Sequence, residues 1–421
     1  MEPGPPAPFC AVVADVVRVD DGAGLVLGLA GGPVSVLARW TPTEHRITLE
    51  VTDGTGTEVI ASAPAGQQAP GRLAFVLNEN QVTLLGAPVD GDWQPLLTER
   101  DAVRARIDLR DPAVLGGLRY AWGTTGRGSA DLGRVRAGIS GPVGVRDPQV
   151  VRRPDGSPFV RDGKLYLTLT SAGLGFFQQA HWGVWTLDLT DPAELVQVGA
   201  LFSARDGLVL GDHAGHVVHD EDTGRSIVLV SSWGDHDVHV GVHVRHTVTT
   251  EDVLHGVHVL ATERLDLPTA ASAWDPSLAH VDGRWHLAFV ECTAFEPRYT
   301  FHPALAVADG PDYSQGLRLV GADRGREQTE GTLLQQLGRR WYVLASDGDA
   351  REYLVYDTRL VQVGTLDAPY GSNIPHPVLV RPREGRGAPW WLLTFDGTSW
   401  AADALGYGTH GDFVVLGTGA H

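Results

Sequence analysis

Five ionisable residues stand at the same place in a repeated unit of this chain. Asp275 opens "DPSLAHVDGRWHLAFVE", Glu330 opens "EGTLLQQLGRRWYVLAS" and His216 opens "HVVHDEDTGRSIVLVSS". Each has a turn glycine eight residues on: Gly283, Gly338 and Gly224. Asp147 opens "DPQVVRRPDGSPFVRDGKLYLTLTS" and His376 opens "HPVLVRPREGRGAPWWLLTF", the same layout with insertions at the turn. An Asp-Pro at a strand start is commonly a turn former, which explains Asp147 or Asp275 singly. It does not explain five ionisable residues at equivalent positions. If the openings converge, three carboxylates repel one another and at least one pKa rises. That costs stability and marks a candidate functional site. Cleavage of a glycosidic bond requires such a pair: a protonated carboxyl for the leaving oxygen, and an ionised one as base or nucleophile. On this reading Glu330 is the general acid.

The elements that must position these groups are strands. Short alternating runs rich in β-branched and aromatic residues recur throughout, such as "HRITLEV", "KLYLTLT", "SIVLVSSW", "RWHLAFVE" and "PWWLLTF". The 52 Gly and 26 Pro punctuate them. Helical periodicity is scarce, and "DPAVLGGLRYAW" predicts at most one helical turn. The fold class is all-β. Residues 1–135, with turn signals "DDGAG", "TDGTG" and "VDGDW", predict a β-sandwich of jelly-roll or concanavalin type. From residue 136 to 421 the openings fall at intervals of 69, 59, 55 and 46 residues, which predicts a five-bladed β-propeller whose first strands line the axis.

An Asp-Pro in the first unit, an Asp-Pro in the third and a Glu-Gly in the fourth resemble glycoside hydrolase family 43 and its clan, over about residues 136–421. The resemblance implies an inverting hydrolase of pentose linkages, similar to α-L-arabinofuranosidases and β-xylosidases. Asp147 in "VRDPQVV" would be the general base. Asp275 in "AWDPSLAH" would tune and orient the acid, and Glu330 in "QTEGTLL" would be that acid. It further implies that His376 helps to bind a structural calcium ion through water; a plain hydrogen-bonding role is the other reading. Two features depart from the family. The sandwich precedes the propeller, and Thr332 stands where Pro is common. The related families 32 and 68 use the first Asp as a nucleophile with retention, which gives a fructofuranosidase or fructosyltransferase alternative. Their Asn-Asp-Pro is here Arg146-Asp147-Pro148, and the Glu-Cys pair typical of their acid matches Glu291-Cys292, which falls at the end of the unit's second strand. A non-catalytic carbohydrate-binding propeller is the alternative from another class.

Candidate substrate contacts are Arg146, His213, His216, Trp233 and Trp274. Trp182 and Phe176-Phe177 are further aromatics at loops that could stack on sugar faces. The His-rich stretch with Asp212, His213, His219, His239 and His243 raises a zinc cluster, although no ligand spacing is diagnostic and an outward polar strand face accounts for it.

Composition excludes other classes. With 51 acidic against 33 basic residues the net charge is −18, which argues against a nucleic-acid backbone or an anionic membrane as partner. Two cysteines leave no disulfide framework. "MEPGPPAPFCAVVADVV" has no basic start or long apolar stretch, so the chain as written reads as cytoplasmic. The expected partner is an oligo- or polysaccharide, and the sequence carries no signal for oligomeric state.

Overall fold

In the computed structural model of the chain the described residues are 4–65, 70–382, 388–398 and 410–418. The chain is all-β. Residues up to Ile139 form two five-stranded antiparallel sheets. One runs in the order Ala130–Ile139, Phe9–Val19, Arg72–Asn78, Gln81–Ala87, Gln94–Glu99. The other runs Gly56–Pro64, Arg46–Asp53, Val34–Thr41, Ala23–Gly31, Arg119–Gly126. Alternate side chains of both, such as Val12, Phe75 and Leu84 against Leu27, Val36 and Leu49, fill one buried core, as a period of two requires. Ala130–Ile139 stays paired with Phe9–Val19 as far as Cys10 opposite Ile139. The join to the rest of the chain therefore falls at 140–143 rather than at residue 136. Among the described residues two short α-helices occur instead of one: Pro112–Gly117, whose N-cap Asp111 accepts from Ala113 N–H at 2.8 Å, and Asp101–Arg106.

Five sheets follow in chain order. Their first strands are Gly144–Val150, His213–Asp220, Ser272–Val281, Thr329–Leu337 and Val378–Val380. Each first strand packs on that of the next sheet, and the fifth sheet returns to the first. Direct bonds stitch them: Arg152 N–H to Val217 O at 3.0 Å, Thr168 Oγ1 to Gly215 O at 2.7 Å, Leu334 N–H to Ser277 Oγ at 3.1 Å. The apolar cores lie between neighbouring sheets. Trp182, Val217 and Val228 fill one interface, and Leu278 and Phe289 with Leu229 fill the next. Hairpins close tightly where Asp-Gly supplies two left-handed residues, as at Asp162-Gly163, Asp206-Gly207 and Asp282-Gly283. The turn insertion of the fifth repeat lies outside the described residues.

The His-rich stretch after Trp233 is not one strand. Asp237 O accepts from Val240 and Gly241 N–H, Gly241 has φ +78°, and the strand resumes only at Val244–Thr249. Among the described residues no helix is long and apolar enough to cross a membrane.

The two parts of the chain are packed together. Phe9 is fully buried, stacked on Phe202 at 5.4 Å and edge-on to His181 at 5.5 Å. Asn78, Glu79 and Gln81, also buried, reach the 173–179 loop of the first ring sheet. Phe9→Ala is expected to cost about 3–5 kcal/mol, read as a shift of the urea midpoint, and to leave the ring's own sheets intact by circular dichroism.

Candidate active site

A strand turns successive side chains to opposite faces, so two consecutive residues cannot normally line one pocket. Four of the ring sheets break that rule at the same place. Their first and second strands pair in register except for a bulge between Arg146 and Gln149, His213 and His216, Trp274 and Ser277, and Glu330 and Leu333. The residue at each bulge is left-handed: Asp147 (φ +52°), Ala214 (+51°), Asp275 (+51°) and Gly331 (+70°). A bulge re-aims side chains, and here the residue before it and, in sheets one to three, the bulge residue both face the same cavity. That cavity holds about 270 Å³ and is lined by Arg146, Asp147, His213, Ala214, Trp274, Asp275, Glu330 and His376 among others.

All but one of the expected site residues thus meet. The exception is His216. From the bulge to the hairpin each strand runs the same distance, but the second sheet turns over four residues between Asp220 and Arg225, and the third over two between Val281 and Arg284. Counting eight back from the turn glycine therefore stops short in the second sheet, and His213 takes the place that Glu330 has in the fourth. His216 is buried below, with Nε2 3.2 Å from Val150 O and Nδ1 accepting Leu278 N–H at 3.1 Å. It stitches three sheets and does not line the cavity.

The charged groups are arranged unequally. Asp147 and Asp275 are almost fully buried, while Glu330 is partly open to the cavity. Burial alone would raise Asp147, but charge on His376, then Arg146 and the Thr170 hydroxyl, override it and leave its pKa lowered. Burial holds His376 itself down to about 4. At neutral pH its ring is uncharged, and Arg146, with Nε 3.9 Å from Asp147 Oδ1, is the lasting counter-charge. Glu330 is pushed up to about 7 by burial and by Asp147, against the opposing pull of Arg146 and the Trp274 indole, which donates to Oε2 at 3.3 Å. Asp275 is raised well above the ordinary carboxylate range by burial, then by Glu330 and Asp147. Near neutral pH the cluster is thus biased toward one negative charge, on Asp147, with Glu330 still largely protonated below about pH 7 and Asp275 held toward its protonated form.

Asp275 is tied to the strand of Glu330. Its Oδ2 accepts Gly331 N–H at 3.0 Å, and its carbonyl accepts the Thr332 hydroxyl at 2.8 Å. His376 Nε2 sits 3.6 Å from Asp147 Oδ1 and 3.5 Å from Asp275 Oδ2. Its ring also lies against Phe395 and Gly331. Among the described residues no group of three His, Cys, Asp or Glu is arranged to hold a metal ion, and the polar contacts of His376 that the structure shows are with the carboxylates of Asp147 and Asp275.

An aromatic wall completes the cavity. Phe177 packs on Trp233 at 4.5 Å, Trp233 on Trp274 at 5.3 Å, and Trp274 on Phe301 at 5.4 Å. Trp182 is instead buried in the core between the first two sheets. Gln328, Asn373 and Tyr299 also line the cavity; only their closeness to the repeat openings could have signalled Gln328 and Asn373. Glu291, of the Glu-Cys pair, lies outside the lining and bonds His302 at 2.8 Å and Arg324 at 3.2 Å.

Two outcomes follow from this geometry. The raised pKa of Glu330 means the folded state binds a proton that the unfolded state releases above its ordinary value, so this group's contribution to stability falls as pH rises from about 4.5 to 7. Glu330→Gln should then gain about 1–2 kcal/mol over the parent at pH 8, an advantage that shrinks as pH falls and is gone below about pH 4, read from thermal melts. A Cβ on Gly331 would lie 2.5 Å from His376 Cδ2 at a left-handed φ, so Gly331→Ala should lose about 1–3 kcal/mol by denaturant titration.

No protein-family model matches the chain, and no curated protein matches it in sequence. Among solved structures it is similar to a GH43_1 enzyme from Xanthomonas citri complexed with xylotriose, at 15% identity and TM-score 0.44, over 65% of this chain and 87% of that one. It is also similar to an α-L-arabinofuranosidase from Podospora anserina in complex with cellotriose, at 10% identity and TM-score 0.41, over 66% and 92%. A third likeness is to Bacillus subtilis levansucrase, at 9% identity and TM-score 0.44, over 66% and 84%.

Proposed function

We propose that the chain is a glycoside hydrolase, a five-bladed β-propeller preceded by a β-sandwich, that cleaves pentose linkages of the arabinofuranoside or xyloside type with inversion. The observation that carries this reading is the split of protonation states in one cavity. Arg146 helps to keep Asp147 ionised, while burial keeps a proton on Glu330 up to about pH 7. Asp147 takes the proton of a water that attacks the anomeric carbon. Glu330 donates its proton to the departing glycosidic oxygen. Asp275 orients the acid's strand through Gly331 and Thr332. The Trp274 indole fixes the Glu330 carboxyl and extends the aromatic wall on which a sugar face can stack.

Hydrolysis of a panel of aryl arabinofuranosides, xylosides and fructosides by the parent and by Glu330→Gln tests this. Loss of the acid should cost about 10²–10⁴-fold on substrates with poor leaving groups and far less on activated aryl glycosides. In the parent, kcat/KM should fall above about pH 7 as Glu330 deprotonates, and fall again in acid only below the usual carboxylate range, where Asp147 is protonated. The alkaline limb should vanish in Glu330→Gln. Product proton NMR should show the inverted anomer first; a retained anomer would make Asp147 a nucleophile. Absence of turnover on every member, with binding unchanged by Glu330→Gln, would favour a carbohydrate-binding propeller.

A further inference from the structure

The catalytic cavity does not end at the propeller. Phe176, 45% exposed, lines it and also lines a second cavity of about 430 Å³. The far wall of that second cavity belongs to the sandwich, through Glu99, Arg100 and Asp101. The two cavities therefore share one exposed aromatic ring, with saccharide-type hydrogen-bonding groups beyond it.

The ring is held from the sandwich side. Phe176 N–H donates to Gln179 Oε1 at 2.8 Å, and Gln179, fully buried, donates through Nε2 to Glu79 Oε2 at 3.2 Å. Glu79, at the tip of a sandwich hairpin and only 2% exposed, pairs with Arg110 at 3.2 Å. The same hairpin accepts Leu174 N–H on Asn78 Oδ1 at 3.3 Å and donates from Gln81 to Leu174 O. A chain of buried polar groups of this kind is costly unless every member is satisfied, and it fixes one geometry when they are. Phe177, next in sequence, packs on Phe176 at 4.2 Å and on Trp233 at 4.5 Å. The loop is thus fixed to both the sandwich and the catalytic wall.

We propose that a saccharide bound at the catalytic carboxylates continues across Phe176 into this cleft, so that the sandwich supplies an outer subsite for sugar units remote from the cleaved bond. This deepens the glycosidase reading and rests on it. The ligand class is a neutral oligosaccharide of three or more units. Phe176 offers a stacking face, and Asp101 and Arg100, 89% and 36% exposed at their side chains and paired with each other at 3.4 Å, offer their remaining acceptor and donor atoms to vicinal hydroxyls. Glu79 and Gln179 are positioning residues. The catalytic cavity of about 270 Å³ has room for little more than one ring, so the rest of a longer substrate must lie outside it.

The test compares kcat/KM on an aryl monoglycoside with that on xylo- and arabino-oligosaccharides of two to five units, in the parent, the Arg100→Ala/Asp101→Ala double variant and Phe176→Ala. The parent should gain with chain length beyond two units. The double variant should lose about tenfold in the ratio of oligosaccharide to aryl activity, carried by KM rather than kcat, with its melting temperature unchanged. A ratio equal to the parent's in both variants would overturn the subsite. As a second measurement, Glu330→Gln protein is titrated calorimetrically with the same oligosaccharides, with and without Phe176→Ala. Weaker binding in the Phe176→Ala background supports the subsite even if no glycoside is turned over, in which case the hydrolase reading alone fails. Equal binding in both backgrounds, or none in either, overturns it.

Discussion

The site depends on a backbone irregularity repeated around the ring. Without the bulges, Arg146 and Asp147 would face opposite sides of their strand, as would Trp274 and Asp275, and one member of each pair would be lost from the cavity. The irregularity is unfavourable by itself. Left-handed Asp147, Ala214 and Asp275 each cost of order 1–3 kcal/mol and persist only where the surroundings over-determine them. For Ala214 and Asp275 a hydroxyl from the second strand of the preceding sheet does this. Ala214 N–H donates to Thr170 Oγ1 at 3.0 Å, and Asp275 N–H donates to Ser231 Oγ at 3.0 Å. Ser231 in turn donates to Ala214 O at 3.0 Å, and Ser346 donates to Pro375 O. The bulges of the second, third and fourth sheets are thus pinned from the preceding sheet, the fourth through Gly331 N–H on Asp275 Oδ2.

The same closeness sets the charges. Three carboxylates around one small cavity resist ionising together, and with Arg146 beside it Asp147 is the one whose pKa is lowered. Behind the aromatic wall a second arginine does comparable work without touching the cavity. Arg205 is 3% exposed at its side chain and bonds both oxygens of Asp212 at 2.7 Å, as well as Asp235. Asp212 accepts Gly234 N–H at 3.0 Å, which fixes the turn carrying Trp233. A buried guanidinium with two carboxylates fixes geometry more than it adds stability. At this place geometry is what the wall needs.

Much of this was legible in the sequence, and the remainder was hidden for definable reasons. The all-β character and the recurring openings are visible because strand patterning and Gly turns are local. Asp147, Asp275 and Glu330 could be found because the repeat places them at one end of first strands. The repeat does not reveal hairpin length. Asp282-Gly283 is a two-residue turn and Glu221–Gly224 a four-residue one, and both end in Gly. That ambiguity moved His216 into the cavity on paper, where the structure has His213. Nor does any local pattern mark Asn78, Glu79 and Gln81 as buried. Polar residues at a hairpin tip read as solvent-facing unless the packing of a second body is known.

Thr332 shows how a departure from a family pattern can carry its own physical account. A proline there could not donate a hydrogen bond, whereas the Thr332 hydroxyl reaches the Asp275 carbonyl at 2.8 Å. Together with the Gly331 N–H bond to Asp275 Oδ2, this makes two bonds across the boundary between the third and fourth sheets, next to Glu330. Slippage of one sheet against the other would have to break both. It would also separate Trp274, on the third sheet, from the carboxyl that its indole contacts on the fourth. Glu330, the Asp275 hydrogen-bonded to its strand and the Trp274 ring against its carboxyl therefore move as one unit. A substitution that loosened the boundary would disturb the protonation of Glu330 before it disturbed the fold, because the pKa depends on burial and charge separation over a few ångströms, while the ring is held by cores between every pair of sheets.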